Sequence, residues 1–237
     1  AYEISTRDWS SDVCSSDLLD LTQPLGPETP GWPGDAPFAA TVVETVAADG
    51  SYVRRIDLPE HLGTHFDAPA HFVEGGATVE AIAADRLVVP ARVIDIADRC
   101  AGDPDATLTD ADIDAHEAEH GALEAGSALL VRTGWDRLRG DRARYVGDLR
   151  FPGFGADAAV RVVERGVAGI GIDTLSVDRG CDGAFPVHLT TLPAGLWHLE
   201  GLVGLDALPP AGATLVVGVP PVVAGSGFPA RVLALLP

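Results

Sequence analysis

The chain has 237 residues, 46% of them hydrophobic, and a formal net charge of −19 at pH 7. This length suits one globular domain with a sizeable core. All 16 basic residues are arginine, and the excess of acid disfavours nucleic acid and anionic membranes, which bind through positive charge. No apolar run approaches the roughly 20 residues that span a bilayer. We therefore expect neither nucleic acid nor a membrane as a partner.

Residues 1–18 differ from everything that follows. They are polar, rich in Ser and Asp, and without a hydrophobic period. They lack the basic and apolar regions of a signal peptide, and they resemble translated sequencing-adapter sequence. We expect residues 1–18 to be non-native or disordered, and residues 19–237 to form a single domain.

The three cysteines are widely separated and form no paired motif. They are Cys14, Cys100 and Cys181. Such spacing favours a reducing compartment without a disulfide framework. We therefore expect a cytoplasmic protein.

The first half of the domain alternates strand-like runs with turns. An Asp49-Gly50 pair between two apolar runs predicts a β-hairpin. A loop rich in Pro and Gly, residues 24–35, carries Trp32, and residues 79–87 predict a short helix. The predicted strands cover residues 19–25, 41–47, 52–58 and 92–96.

Helices and strands are mixed in the second half. Thr109 as N-cap, acids in the first turn and Gly121 as the stop predict a helix over residues 109–120. Gly166 predicts the end of a helix over 156–165. A short helix is predicted over 189–195, and strands over 128–132, 167–172, 202–205, 214–219 and 232–235. This order predicts an α/β domain with a mixed β-sheet or partly closed barrel flanked by helices.

The densest chemistry lies in His61-Leu62-Gly63-Thr64-His65-Phe66-Asp67-Ala68-Pro69-Ala70-His71. Three imidazoles and one carboxylate fall within eleven residues, on a turn-rich segment after a predicted strand. Neutral imidazole and ionised carboxylate bind metals at about 2 Å, and a loop rigidified by Gly and Pro can aim them at one point. Unrelated polar loop residues are the alternative. The density of donors favours a divalent-metal site.

A second motif competes with this one. His116-Glu117-Ala118-Glu119-His120 has the H-E-x-x-H spacing of zinc proteases. Gly121 ends the helix at once, no H-x-x-G-x-x-H extension follows, and the helix is acidic and rich in Ala. We expect an exposed helix with two incidental histidines.

Further ligands have to come from another segment, because a metal shell is closed by several parts of a chain. His188 and Glu200 lie where a short helix and a strand can return to the first motif. His198 is the alternative to His188.

The first motif resembles a known family signature. His61-x-Gly63-Thr64-His65-x-Asp67-x-Pro69-x-His71-Phe72 is similar to the H-x-G-T-H-x-D-x-P-x-H-F signature of metal-dependent cyclase-like hydrolases, which include bacterial kynurenine formamidases and isatin hydrolases. His188 and Glu200 keep the twelve-residue offset of the formamidases. Other blocks that resemble the family are Trp32-Pro33-Gly34-Asp35, Arg132-Thr133-Gly134-Trp135 and Gly171-Ile172-Asp173-Thr174. The resemblance covers most of residues 19–237.

The resemblance implies a role for each matching residue. His71 is the implied general acid/base, and Trp32 the implied substrate-contacting aromatic, although it can equally be an anchor of its loop. Asp67 would bridge if two metals bind. The implied ligands are His61, His65, Asp67, His188 and Glu200. Zinc or manganese, one or two ions per subunit, and a homodimer or homotetramer are implied as well.

The implied function is metal-dependent hydrolysis of a C–N bond in a small aryl-formamide or cyclic amide, as in the arylformamidases of tryptophan catabolism. A metal-bound hydroxide, formed as the pKa of water falls from about 15.7 to about 7, would attack the carbonyl while His71 moves protons. The longer middle region, residues 108–126 and 137–155, makes N-formylkynurenine the less favoured substrate. A metal-dependent cyclase or dehydratase and a non-catalytic metal-binding protein are the alternatives.

Overall fold

A mixed sheet of nine strands, curled into a half-barrel, organises the computed structural model, which describes residues 17–237. The strands are β1 (Leu18–Asp20), β2 (Ala39–Glu44), β3 (Val53–Asp57), β4 (His65–Asp67), β5 (Val88–Asp95), β6 (Thr107–Leu108), β7 (Ala128–Arg132), β8 (Gly153–Phe154), β9 (Gly169–Ile172), β10 (Trp197–Glu200), β11 (Ala211–Gly218), β12 (Gly227–Pro229) and β13 (Arg231–Leu235). The predicted α/β class with a mixed, partly closed sheet is confirmed.

The helices are short and are distributed over both halves of the described chain. They are α1 (Val46–Asp49), α2 (Ala97–Gly102), α3 (Asp110–His120), α4 (Arg142–Val146), α5 (Ala156–Arg165) and α6 (Pro186–Thr191). Turns of 3-10 helix cover Pro69–His71, Val79–Ala81, Ala84–Arg86, Trp135–Leu138 and Leu205–Ala207. Over residues 17–237, no helix has both the length and the apolar character needed to span a bilayer.

The order of strands across the sheet is β1-β13-β11-β5-β7-β9-β10-β4-β12. The four central strands β5, β7, β9 and β10 are parallel. Antiparallel strands flank them on both sides, so that β4 pairs with β10 and with β12. Two smaller pairs, β2-β3 and β6-β8, stand outside this sheet.

The sheet is buried on both faces at its centre. In β7, Ala128 and Leu130 belong to one apolar cluster, whereas Leu129 and Val131 belong to another. Successive residues of a strand point to opposite faces, so the two clusters lie on opposite sides of the sheet. Helix α5 contributes Ala158, Ala159 and Val162 to the second cluster. Such continuous apolar runs are typical of parallel strands covered on both faces.

Several predicted elements are confirmed with their boundaries. Strand β7 and helix α5 have the predicted limits. Helix α3 begins after Thr109, whose side chain accepts from the backbone N–H of Asp112 in a capping box. The hairpin is also present, with α1 in its loop.

Other predictions are wrong in part. Residues 202–205 are not a strand; the strand is β10, and its polar His198 and Glu200 interrupt the apolar pattern on which the prediction relied. Residues 79–87 form two 3-10 turns in place of one helix, and the predicted helix 189–195 is α6, which begins three residues earlier at Pro186.

Residues 1–18 were expected to be non-native or disordered, and the structure differs from this expectation at Leu18. Leu18 already belongs to β1 and pairs with Leu235. The rest of that expectation concerns residues 1–16, which lie outside the described residues.

Asp173, at the end of β9, holds the turn that follows β7. Its buried carboxylate accepts hydrogen bonds from the backbone N–H groups of Thr133 (3.0 Å) and Gly134 (2.7 Å) and from the Thr133 hydroxyl (2.6 Å).

In Asp173→Ala these three buried donors lose their acceptor, and each unsatisfied group costs about 1–3 kcal/mol. We expect the free energy of unfolding to fall by about 3 kcal/mol or more in denaturant titration. Asp85→Ala, at an exposed carboxylate, is the control; a similarly small effect of both variants would contradict this role.

Candidate active site

The pairing of β4 with β10 brings four polar side chains into the apolar core. His65 lies opposite Glu200, and Asp67 lies opposite His198. Alternate residues of a strand share a face, so both pairs project to the same side of the sheet. All four side chains are at least nine-tenths buried. Buried charge at this density requires compensation by partners or by a cation.

Helix α6 adds His188 to this group. The helix begins after Phe185, which has a left-handed φ of 50°. Its first turn is held by Asp178, which accepts from the backbone N–H of Val187 (2.7 Å) and from Nδ1 of His188 (2.6 Å). The same carboxylate therefore caps the helix and orients the imidazole.

Asp67 is the centre of the cluster. Its Oδ1 lies 2.7 Å from Nδ1 of His61 and 3.3 Å from Nε2 of His65. Its Oδ2 lies 3.7 Å from Nε2 of His188 and 3.7 Å from Nδ1 of His198. Four imidazoles thus surround one carboxylate that has no solvent exposure.

Glu200 is the second carboxylate of the cluster. Its Oε2 lies 3.4 Å from Nε2 of His65, and its Oε1 lies 3.5 Å from Nε2 of His188. Oε1 also accepts from the backbone N–H of Val177 at 2.9 Å. The carboxylate is therefore fixed in direction.

The outward nitrogens of the imidazoles have oxygen partners that assign their tautomers. His65 donates from Nδ1 to the carbonyl of Gly63 (3.0 Å), and His188 donates to Asp178. The hydroxyl of Thr191 donates to the carbonyl of Val187 (2.7 Å), so it accepts from Nε2 of His198 (2.6 Å). When a cation is bound and these rings are neutral, each inner nitrogen can present a lone pair to it.

This arrangement fits a divalent cation. Oδ2 of Asp67 and Nδ1 of His198 are buried without a hydrogen-bond partner. Ligand atoms of Asp67, His188, His198 and Glu200 all lie within 4.8 Å of one another, as do those of His61, Asp67 and His71. Imidazole nitrogen and carboxylate oxygen are ligands that both zinc and manganese accept.

The electrostatics of the cluster also favour positive charge. Burial lowers the pKa of His188, but hydrogen bonds to Asp178 and Asp67 outweigh it and raise that pKa to about 10. Likewise, burial opposes the protonation of His65, yet Asp67 and Glu200 hold its pKa well above the usual range. The carboxylates thus draw protons onto imidazoles, a charge that a metal ion would supply instead.

His71 differs from the other imidazoles. Burial lowers its pKa to about 4, with the Asp67 charge opposing and the His61 ring assisting, so the ring is neutral at pH 7. Its ring stacks on His61 with centroids 3.8 Å apart, and no residue of the described chain hydrogen-bonds its nitrogens. The ring lines the cavity above the cluster, where these nitrogens are free to exchange protons.

A cavity of about 310 Å³ opens over the cluster. Trp32, Phe72 and Phe185 form an aromatic wall, with centroids of Trp32 and Phe185 5.9 Å apart and of Phe72 and Phe185 5.5 Å apart. Trp32 also contacts the buried Phe151 at 6.4 Å. It is therefore both a wall of the cavity and an anchor of its loop, and its contact with substrate stays a prediction.

All the residues that the sequence singled out for the site lie around this cavity and its cluster. They are Trp32, His61, His65, Asp67, His71, His188 and Glu200. His198, considered only as a replacement for His188, lies beside it, because α6 carries one and β10 the other. Asp178 and Thr191 were missed, since a polar residue that orients a ligand from elsewhere in the chain has no spacing signature.

The competing H-E-x-x-H motif is structural. Glu117 pairs with Arg165 at 2.7 Å, and the carbonyl of His120 accepts from Arg92 at 2.8 Å. His116 is 8% exposed, so the expectation of an entirely exposed helix was wrong at that position. No metal-binding group among residues 17–237 includes either histidine.

The half-barrel and its cluster of imidazoles and carboxylates define a metal-dependent hydrolase of amide C–N bonds. Residues 19–179 match the model of the Cyclase family, described as "Putative cyclase". The chain belongs to this family.

Two relatives illustrate the similarity. The isatin hydrolase of Roseibium aggregatum is 33% identical over 242 residues, which cover 93% of this chain and 92% of the relative. A kynurenine formamidase of Bacillus cereus is 32% identical over 190 residues, or 80% of this chain and 83% of the relative.

Solved structures of isatin hydrolases are also similar to this chain. An isatin hydrolase bound to the product analogue thioisatinate superimposes with a TM-score of 0.88 at 32% identity, covering 93% of this chain and 92% of that one. Isatin hydrolase A of Ralstonia solanacearum gives 0.86 at 34% identity, with the same coverage.

Proposed function

We propose that this enzyme hydrolyses the C–N bond of a neutral aromatic cyclic amide of the isatin type. The observation that carries the proposal is the aromatic cavity directly above the buried cluster, with the neutral His71 at its side. Water adds across the amide bond, so that the ring opens to a carboxylic acid and an amine.

The proposed cation ligands are His61, His65, Asp67, His188 and Glu200, with His198 as a further donor. The unpartnered Oδ2 of Asp67 and Nδ1 of His198 support this set, and the donor types support zinc or manganese, one or two ions per subunit. When bound, such a cation supplies a Lewis acid that lowers the pKa of water and polarises a carbonyl.

His71 is the proposed general acid/base. Because burial lowers its pKa to about 4, the imidazole is in its basic form at pH 7 and accepts a proton from water. The protonated ring then donates to the leaving nitrogen, which avoids expulsion of an amide anion. Stacking on His61 holds the ring in place.

The charge of the cavity favours a neutral substrate. Its lining includes Asp35 and Glu200, and no arginine is present among the described residues that form it. Apart from the proposed cation, a substrate with a free carboxylate would meet acidic groups and no arginine in this cavity. Trp32, Phe72 and Phe185 offer ring faces to a planar aromatic substrate. A cyclic amide therefore fits better than N-formylkynurenine.

The test combines metal analysis with a hydrolysis screen of isatin, N-formylkynurenine and simple cyclic imides. We expect a metal-containing protein that turns over isatin and yields a product heavier by one water. A product of unchanged mass, or one that has lost water, would indicate a cyclase or dehydratase. A metal-replete protein that is inactive on the whole panel would favour a metal-binding role without catalysis.

We also propose that the enzyme is a homodimer or homotetramer joined through the β2-β3 hairpin. Val42 and Ile56 are each 50% exposed on one face of this two-stranded sheet, beside Arg54. Isolated hairpins are marginally stable in water, and Arg54 makes no ion pair within residues 17–237. A second copy of this acidic chain offers both apolar contact and carboxylates.

Glutamates at Val42 and Ile56 test this interface. We expect the wild type to elute as a dimer or tetramer in size-exclusion chromatography with light scattering, and the double variant to shift towards monomer. Val160→Glu, at an exposed apolar residue of α5, is the matched control. A monomeric wild type at micromolar concentration would refute the proposal.

We also propose that the protein is located in the cytoplasm. Cys100 is buried, Cys181 is exposed, and both are free thiols. Unpaired cysteines are typical of a reducing compartment. Cell fractionation of the source organism, with an antibody to the chain, would test this location.

A further inference from the structure

His61 is held from outside the cluster by a chain of hydrogen bonds that begins at Glu60. The hydroxyl of Ser226 donates to Oε2 of Glu60 at 2.6 Å, and the backbone N–H of Ser226 donates to the same oxygen at 3.1 Å. Nε2 of His61 lies 3.0 Å from the Ser226 hydroxyl oxygen. On the other side of the ring, Nδ1 faces Oδ1 of Asp67 at 2.7 Å.

The single hydroxyl proton of Ser226 determines the tautomer of His61. Ionised Glu60 can only accept hydrogen bonds, so the hydroxyl proton of Ser226 points to it. The hydroxyl oxygen must then accept from His61, which places the ring proton on Nε2. A cation bound on the side of the cluster where Asp67 lies would then meet the lone pair of Nδ1, which faces Oδ1 of Asp67 at 2.7 Å.

The segment around Ser226 is built against this ring. The carbonyl of Ser226 accepts from the backbone N–H of Ala68, next to Asp67, at 2.9 Å. At Gly227, a Cβ atom would come within 2.5 Å of Cε1 of His61. Only glycine therefore allows the strand to pass so close to the imidazole.

His61 also needs this support more than its neighbours do. Its side chain is 22% exposed, against 6% for His65 and 3% for His188. A more exposed ring has fewer packing contacts to fix its orientation, and water competes for its N–H. The anchor from Glu60 and Ser226 replaces that packing.

We propose that Glu60 and Ser226 are positioning residues that fix the tautomer and orientation of His61 and thereby raise the affinity of the site for a divalent cation. This inference rests on the proposed role of His61 as a ligand. Partners of this outer kind typically contribute about 10–100-fold in metal affinity. Glu60 is half-buried and supplies the terminal acceptor of the chain.

The experiment measures zinc affinity of the metal-free full chain by competition with a chromophoric chelator. We expect Ser226→Ala and Glu60→Ala each to weaken binding about 10–100-fold. Ser226→Thr, which keeps the hydroxyl, should restore most of the affinity. Ser51→Ala, at an exposed serine of the hairpin, is the control and should bind as the wild type does.

A second readout separates positioning from general loss of structure. In the metal-free protein, the ¹⁵N NMR shifts of His61 should show a protonated Nε2. In Ser226→Ala, Nε2 loses its acceptor and should become unprotonated, with the ring proton on Nδ1 facing Asp67. Thermal unfolding identifies any variant that no longer folds. If Ser226→Ala does not fold, the comparison is made with Glu60→Ala, which is altered at a half-buried position.

The outcomes separate failure of the positioning role from failure of the proposed metal site. If His61→Ala loses zinc affinity but Ser226→Ala and Glu60→Ala bind zinc as the wild type does, the positioning role is overturned while the metal site stands. If the wild type and His61→Ala bind equally weakly, the proposed metal site itself is wrong. An unchanged tautomer in Ser226→Ala would also overturn the inference.

Discussion

Replacement of Asp67 by alanine is expected to remove metal binding and hydrolysis together. Asp67 is fully buried and, among residues 17–237, is the one residue that belongs to both candidate groups of donors. Its loss leaves several imidazoles without a bridging anion. A Lewis acid is worth several kcal/mol to an amide hydrolysis, so we expect kcat/KM to fall by about 1000-fold or more, since each factor of ten corresponds to about 1.36 kcal/mol.

Metal content and rate have to be measured on the same preparations. Asp67→Asn keeps the volume but not the charge, so it separates the loss of the anion from the creation of a cavity. Asp98→Ala, at an exposed carboxylate of α2, is the matched control. Full metal occupancy in a folded Asp67→Ala protein would show that the cation does not depend on this carboxylate.

The donors of the first motif were predictable because their signal is local. His61, His65, Asp67 and His71 lie within eleven residues, and no tertiary information is needed to see them as a group. Helices α3 and α5 were predictable for a similar reason, because caps and stops sit next to the elements they define. Both the metal-binding motif and the helices with clear caps were therefore predictable from residues close together in the sequence.

The strands that assemble the site were not predictable in the same way. In β4 and β10 the site residues themselves replace the apolar residues from which a strand is recognised. Their register, which sets Asp67 opposite His198, joins positions more than a hundred residues apart and depends on the packing of the whole sheet. For His198 and Glu200, a strand assignment would have placed both on one face.

The residues that orient the ligands have even less signal in the sequence. Ser226 contacts His61 across 165 positions of the chain, and serine in a Gly/Pro-rich loop is common. Asp178 precedes α6 by several residues and resembles an ordinary helix cap. Only the geometry reveals that each fixes the proton of an imidazole. The sequence thus reveals the ligand residues of a motif, whereas the residues that orient those ligands are recognised only in the structure.

His71→Ala is expected to spare the metal and remove most of the turnover. The ring lines the cavity and has its nitrogens free of hydrogen bonds within the described chain, whereas the neighbouring imidazoles are tied to oxygen partners. Loss of a positioned general acid/base typically costs about 100–10,000-fold, and we expect this loss in kcat with little change in KM. Phe72→Leu, altered on the same cavity wall, is the control that should raise KM more than it lowers kcat.

The decisive comparison is between metal content and kcat for His71→Ala. A protein with wild-type metal and low kcat supports proton transfer by His71, because a structural role would not leave the cluster intact. A loss of metal would make His71 a ligand, as its place within 4.8 Å of His61 and Asp67 permits. Full activity with full metal would remove His71 from the reaction and require a proton carrier elsewhere.

Because burial lowers the pKa of His71 to about 4, the ring stays in its basic form from about pH 5 upward. The difference in kcat between the wild type and His71→Ala should therefore persist across neutral pH.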